Sequence, residues 1–464
     1  MRTLIASLFF AASVIHAAAE TVDLGKIIDF SDIFAMTAAE FFNSANQPGQ
    51  PPSFDWVSRE TRETARFPKW RNSPPVKVWG LDIFESLVTF DENGALLALK
   101  ISFYNKGDSA AAGGQQAMLL DRDSFGARYK KVTSAISAWA KSPGKDGETT
   151  MMMGNRVKIR KKFWVKEPSY VAELEWSYSG RTSDFVGEYI NLTLTRLTQE
   201  NDPRVRRIVT TAEKRAGIPT ARDLVARVSK NFKGDVFIKE FPMVDQGTKG
   251  YCVVSTLERV LKYFGSDVDQ HLLAQLCQSN GVYGTQVTQM VEALKKAGVK
   301  LGVRVKENYE TDNDIRDLER MVAYYNRMAK REDKGEIADG VWIKKQGNSM
   351  LYDYGAALNA MDWDVYKDVR LKKERVAYGR FVRDIHTYVD QGLPLAWTVM
   401  LGKIPEPGLN QAGGFHMRTI IGYNDKEDEL IYSDSWGQGH EFKKMKLEDA
   451  WSITMNLHSL IPRH

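Results

Sequence analysis

The groups in this chain whose types and spacing can do chemistry are a thiol six positions after a glutamine, with an imidazole and a carboxylate far downstream. In Gln246-Gly-Thr-Lys-Gly-Tyr-Cys252 the glutamine amide can serve as an oxyanion donor and the thiol as a nucleophile. After the cysteine, Val253, Val254, Leu257, Val260, Leu261 and Phe264 recur on a helical period and Gly265 closes the run, which predicts Cys252 at a helix N-terminus. The helix dipole favours a thiolate there. A free cysteine titrates near about 8.5, so holding the thiolate at neutral pH calls for an imidazolium as well. Gly413-Gly-Phe-His416 supplies one, at the start of a strand pattern that runs to Tyr423. A polar turn over Asn424 to Glu429 and a second strand pattern, Leu430 to Gly437, complete a hairpin. Antiparallel pairing about residues 425–427 sets His416 opposite residues 434–438, so Asp434 can hold one ring nitrogen and leave the other for the thiol.

These motifs resemble a papain-like cysteine peptidase, most closely the bacterial branch typified by bacteriocin-leader (double-glycine) processing peptidases. The resemblance rests on residues 243–301 and 393–437. Gln246, Cys252, His416 and Asp434 match that branch residue by residue, and Asp434-Ser-Trp-Gly437 is similar to the Asn-Ser-Trp-Gly segment of plant and lysosomal relatives. The resemblance implies an α+β fold in which helices pack on an antiparallel sheet, and a Cys-His-Asp triad with Gln246 as oxyanion donor. It implies peptide or protein substrates and no cofactor. Phe415, between the glycines and His416, and Tyr251, before the cysteine where a small residue is common, depart from the pattern and are expected to reshape the cleft. Two other functions use the same groups: a transglutaminase-like acyltransferase and a noncatalytic binding protein on the same fold.

Taken singly, each residue has a plainer explanation. A cysteine opening an apolar helix is commonly a buried small hydrophobe, and an aspartate near Ser and Gly is commonly a turn former. Their combination at fixed spacings carries the chemical reading. Cys277 follows Leu272, Leu273 and Leu276 and is expected in the core rather than in a disulfide with Cys252. His271 and His386 lack the strand, glycine and acid context of His416, and His440 is the one substitute base that could approach the site. Trp436 is expected to shield the His416–Asp434 contact.

Arg2, the apolar stretch Leu4 to Ile15, and Ala17-Ala-Ala19 before Glu20 read as a signal peptide over residues 1–19, cleaved near Ala19. Export to a periplasmic or extracellular location follows, with no stable membrane anchor, since a span needs about 20 apolar residues. The chain has 464 residues, is 43% apolar and 27% charged, and carries a formal net charge of +5. That is an ordinary globular composition for two or three domains. Arg160-Lys-Lys162 and Arg204-Val-Arg-Arg207 are short, so solvated faces rather than nucleic-acid binding are expected. There is no phosphate-binding glycine loop and no Cys/His spacing for a metal. Asn191-Leu-Thr193 is a glycosylation sequon of the kind that arises by chance.

Residues 20–200 read as a separate α+β domain of unknown role. It opens with helix and loop, followed by strands at Val76–Trp79, Leu87–Phe90 and Leu96–Phe103, a helix at Asp123–Ala140, and strands at Arg156–Trp164, Ser169–Tyr178 and Glu188–Leu197. It could cover the cleft as a propeptide does, or dock a substrate. Residues 201–233 read as a helical linker. Residues 234–464 read as the peptidase domain, opening with the strand Val236–Phe241 and carrying a charged, helical insertion at about 307–376.

Overall fold

The computed structural model describes residues 21–463 except 31, 47, 69–72, 114–118, 153–156, 181–183, 205–217, 281–283, 312–314, 348, 407–408 and 410–412. The signal-peptide segment and much of the expected linker lie outside the described residues. Among those described, no helix is long and apolar enough to cross a membrane.

The N-terminal region is built on an antiparallel sheet of nine strands. In space they run 55–56, 64–67, 85–90, 96–105, 186–196, 170–179, 157–166 and 145–146, with 150–152 added beside 157–166. Val88, Leu99, Ile101, Trp164, Leu174, Ile190 and Leu192 form one buried layer with Phe125, Val132, Ile136 and Trp139 of the helix Arg122–Ala140. Asp121 caps that helix by accepting from the Ser124 N–H, and Lys141 ends it in the left-handed region. Asp91–Gly94 turns between two neighbouring strands, as its Asp-x-x-Gly pattern predicts, with Gly94 at φ 78°.

The C-terminal region has its own eight-stranded sheet. The order is 228–230, 235–238, 414–424, 395–401, 454–462 and 303–310, while 429–433 joins the 414–424 strand and carries 443–446 on its far side. The helix Cys252–Tyr263 packs against the 414–424 strand, and Arg375–Val389 packs against the same strand. This is the mixed α+β layout expected from sequence, with a separate N-terminal β-rich region.

Three local readings change. The sheet begins at Val228 rather than Gly234: Val228–Lys230 pair with Val236–Ile238 around a turn in which the Asn231 side chain accepts from the N–H groups of Lys233 and Asp235. That hairpin replaces the end of the expected linker helix, which stops at Ala226. The strand expected over 236–241 spans Asp235–Ile238, and Glu240 takes φ 54° just before Pro242. The segment 307–376 is largely helical, yet its start belongs to the sheet, since Val303–Glu310 pairs with the C-terminal strand. It also holds a short hairpin, Ile343–Gln346 with Ser349–Tyr352.

Candidate active site

Cys252 opens the twelve-residue helix Cys252–Tyr263, and Tyr251 at the N-cap makes no side-chain capping bond. The first-turn N–H groups are therefore free to act on the sulfur. The thiol, half-buried, faces His416 and the backbone N–H groups of Val253 and Met417, all of which favour its ionised form. Burial alone pushes the thiol up, but His416, with these N–H groups, brings it below the ordinary cysteine value. Cys277 is fully buried at the end of the next helix, and burial pushes it up to about 12. Both cysteines are free thiols.

His416 lies at the start of the strand Gly414–Asn424, and its Nε2 is 2.6 Å from Asp434 Oδ1. Nδ1 is then the ring nitrogen left for the thiol. The strands pair Asn424 with Glu429 and Thr419 with Ser433, so the turn lies where the sequence set it, and Asp434 sits just past the second strand. Burial opposes a charge on His416. The Asp434 carboxylate and the thiolate outweigh it and raise the imidazole to about 9. Asp434 is held well below its ordinary value despite complete burial, by His416, by Arg418 and by the Ser435 N–H. Trp436 stacks on the imidazole with ring centroids 4.6 Å apart and 23° between planes, so it covers the His416–Asp434 contact.

Gln246 is 8% exposed and is fixed at its oxygen end by the Ser435 hydroxyl, which donates to Oε1 at 2.7 Å. Its backbone N–H donates to the Ser435 carbonyl at 2.9 Å. The amide nitrogen gives one hydrogen to the Lys249 carbonyl across a long 3.3 Å and keeps a second. The glutamine is thus clamped at its acceptor end and presents a donor.

The four residues singled out from sequence therefore converge, and His440 does not displace His416. His440 meets Trp436 in a T-shaped contact, ring centroids 5.4 Å apart, and burial lowers its pKa. Three contributors were not found from sequence. Arg418 is fully buried, donates from Nε to Asp434 Oδ2 at 2.9 Å and pairs with Glu406 at 2.7 Å. A charged residue two positions after His416 in an apolar strand shares its face, which is a readable signal. Ser435 adjoins Asp434, whereas Glu406 lies in a loop with no local signature. Tyr251 is 1% exposed and points away from solvent, so its departure from the expected small residue does not line the cleft, while Phe415 is 55% exposed beside His416. Among the described residues no group of three or more His, Cys, Asp or Glu side chains is placed to hold a metal ion.

Residues 317–458 match the model of the Peptidase_C39-like family. The match contains His416 and Asp434, begins after Gln246 and Cys252, and takes in part of the segment first read as an insertion. Among solved structures, xylellain, a cysteine protease from Xylella fastidiosa, is similar over 55% of this chain and 94% of its own, at 14% identity and a TM-score of 0.25. No curated protein matches the chain. Residues 317–458, in the C-terminal part of the chain, are thus similar to the Peptidase_C39-like family.

Proposed function

We propose that this protein is an exported cysteine peptidase that cleaves peptide bonds with Cys252, His416 and Asp434, using Gln246 as an oxyanion donor. The observation that carries the reading is the alignment of Cys252, at the start of a helix, with His416, whose other ring nitrogen is held by Asp434. The Cys252 thiolate attacks the scissile carbonyl carbon, and the carbonyl π pair moves onto oxygen. The Gln246 amide and the Cys252 backbone N–H donate to that oxyanion. As the tetrahedral centre collapses, the C–N bond breaks and His416 gives its proton to the leaving amine, which leaves a thioester. Neutral His416 then takes a proton from water, hydroxide adds to the thioester, and the carboxylic acid departs as the thiolate re-forms beside imidazolium. Asp434 stays ionised and orients the ring.

The test is alkylation of the purified protein by iodoacetamide from pH 4 to 9, with Cys252→Ala and His416→Ala as controls, alongside casein hydrolysis. Labelling of Cys252 should persist well below pH 8 and weaken in His416→Ala, and turnover should decline as His416 deprotonates near pH 9. Cys252→Ala should abolish hydrolysis, and Gln246→Ala should slow it by about 10²- to 10³-fold. Labelling confined to pH above 8 would mean that no ion pair exists and would favour a binding protein. Incorporation of an added primary amine in preference to hydrolysis would make it an acyltransferase. The signal-peptide segment supports export, and recovery of a chain beginning at Glu20 outside the cytoplasm would test that part.

A further inference from the structure

The loop that carries Gln246 is gripped from behind by the N-terminal domain through a buried cluster of charges. Lys249, 1% exposed, sets its ammonium 3.3 Å from each oxygen of Glu85 and 3.3 Å from Asp108. Glu85, 3% exposed, also accepts from Arg66 Nε at 2.8 Å and lies 3.1 Å from His271 of the helix that follows the central one. The loop backbone is fitted to the same partner. A Cβ on Gly247 would fall 2.3 Å from the Arg66 guanidinium, and a Cβ on Gly107 would fall 2.5 Å from the Tyr251 ring. Lys249 joins these contacts to the site, because its carbonyl accepts from the Gln246 side chain at 3.3 Å and from the Tyr251 N–H at 2.7 Å.

Burying a lysine, an arginine and two carboxylates brings little net stability, since desolvation cancels most of their attraction; such clusters can instead fix one geometry. The geometry fixed here is that of residues 246–251, which lead into Cys252. Cys252 meanwhile keeps partial exposure, which a propeptide seated in the cleft would remove. We propose that the N-terminal domain is a positioning platform for the oxyanion loop, with Glu85 and Asp108 acting through Lys249 to hold the Gln246 amide in register with Cys252. This rests on the peptidase reading and makes the N-terminal domain part of the working enzyme rather than its inhibitor. Lys249, Glu85 and Asp108 are positioning residues.

Two small reagents separate the effect from general damage. Iodoacetamide alkylates a thiolate by displacement and forms no oxyanion, whereas p-nitrophenyl acetate acylates it: the sulfur–acyl bond forms through a tetrahedral oxyanion and p-nitrophenolate leaves. In the full-length chain, Lys249→Met should slow acylation of Cys252 on the order of 10- to 100-fold. Its alkylation at pH 7 should stay within about twofold of wild type, because the His416 ion pair is untouched. In a Gln246→Ala background, Lys249→Met should add no further slowing, since both act through one amide. Glu85→Gln, which keeps volume but removes the charge and turns one of the two acceptor oxygens into an NH₂ donor beside Lys249, should fall between wild type and Lys249→Met, and it serves as the test if the latter does not fold. Equal loss in both reactions, additivity with Gln246→Ala, unchanged acylation, or faster acylation as expected of a removed cover would each overturn the proposal. Wild-type alkylation only above pH 8 would instead overturn the peptidase reading and the platform with it.

Discussion

Asp434 satisfies two different demands with its two oxygens. Oδ1 accepts from His416 Nε2 and from the Ser435 N–H at 2.8 Å, while Oδ2 accepts from Arg418 Nε at 2.9 Å. An asparagine could orient the imidazole equally well in an isolated triad. Here its oxygen must stay at the Oδ1 position, where two donors meet, and its NH₂ is then forced against the Arg418 N–H. Asp434→Asn should therefore retain more hydrolysis than Asp434→Ala, because the imidazole bond survives, and yet lose about 1–3 kcal/mol of stability from the opposed buried donors. Casein turnover and urea unfolding of the two variants check both halves, and a fully stable Asp434→Asn would mean that Arg418 finds another acceptor. Cys252, His416, Asp434 and Gln246 could be singled out in the sequence because they stand in combination at fixed spacings, which none of them does alone. Arg418 left the signal of a charge two positions after His416 in an apolar strand, whereas Glu406, in a loop, left none, since it acquires a role only when the fold sets it against Arg418.

The central helix and the hairpin that bear the two halves of the site are bound together by side chains from the helix's buried face. Thr256 donates to the Met417 carbonyl at 3.2 Å, next to His416. One turn on, fully buried Arg259 donates from Nε to the Pro242 carbonyl at 2.7 Å and from a terminal nitrogen to the Ser433 hydroxyl, so it ties the start of the Gln246 loop to the strand that leads into Asp434. Burial lowers Arg259 to about 10, against the pull of Asp434. Arg259→Lys keeps the charge but lacks the fork needed to reach both acceptors. It should cost about 1–3 kcal/mol by leaving one of them unpaired, seen as a lower urea midpoint at unchanged slope. The elements themselves were readable. The helix from Cys252 to its glycine stop and the hairpin around 425–428 follow from periods of 3.6 and 2. What the periodicity missed is pairing at a distance: Val228–Lys230 is too short to show alternation, and Val303–Glu310, with its charged exposed face, finds its partner at the far end of the chain.

At the scale of the whole molecule, the joint between the two sheets was the feature least legible in sequence, because its charges are scattered over residues 66, 85, 100, 108, 249, 269 and 271 and carry no local pattern. The same dispersion dictates how the molecule responds to acid and base. Burial works against a charged Glu85, yet Lys249, Arg66 and His271 hold it well below the ordinary glutamate value. Asp269, paired with Lys100 across the joint, and Asp434 in the site are likewise depressed against their burial. A carboxylate whose folded value is depressed contributes stability that is complete above its unfolded value, about 4, and is lost as pH falls toward the folded one. His416 runs the other way: raised from 6.5 to about 9, it contributes fully below 6.5 and loses that contribution as pH climbs through 9. Stability should therefore form a plateau from about pH 5 to 7, decline on the alkaline side through His416, and decline below about pH 4 through the three carboxylates. His416→Gln should flatten the alkaline decline and remove only the Asp434 share of the acid one, whereas Glu85→Gln should make the acid decline shallower and leave the alkaline one unchanged. Urea unfolding of the three proteins from pH 3 to 10 checks this. An alkaline decline that persists in His416→Gln would place the responsible proton elsewhere, and an acid decline unchanged in Glu85→Gln would mean that the joint between the domains bears no part of the acid sensitivity.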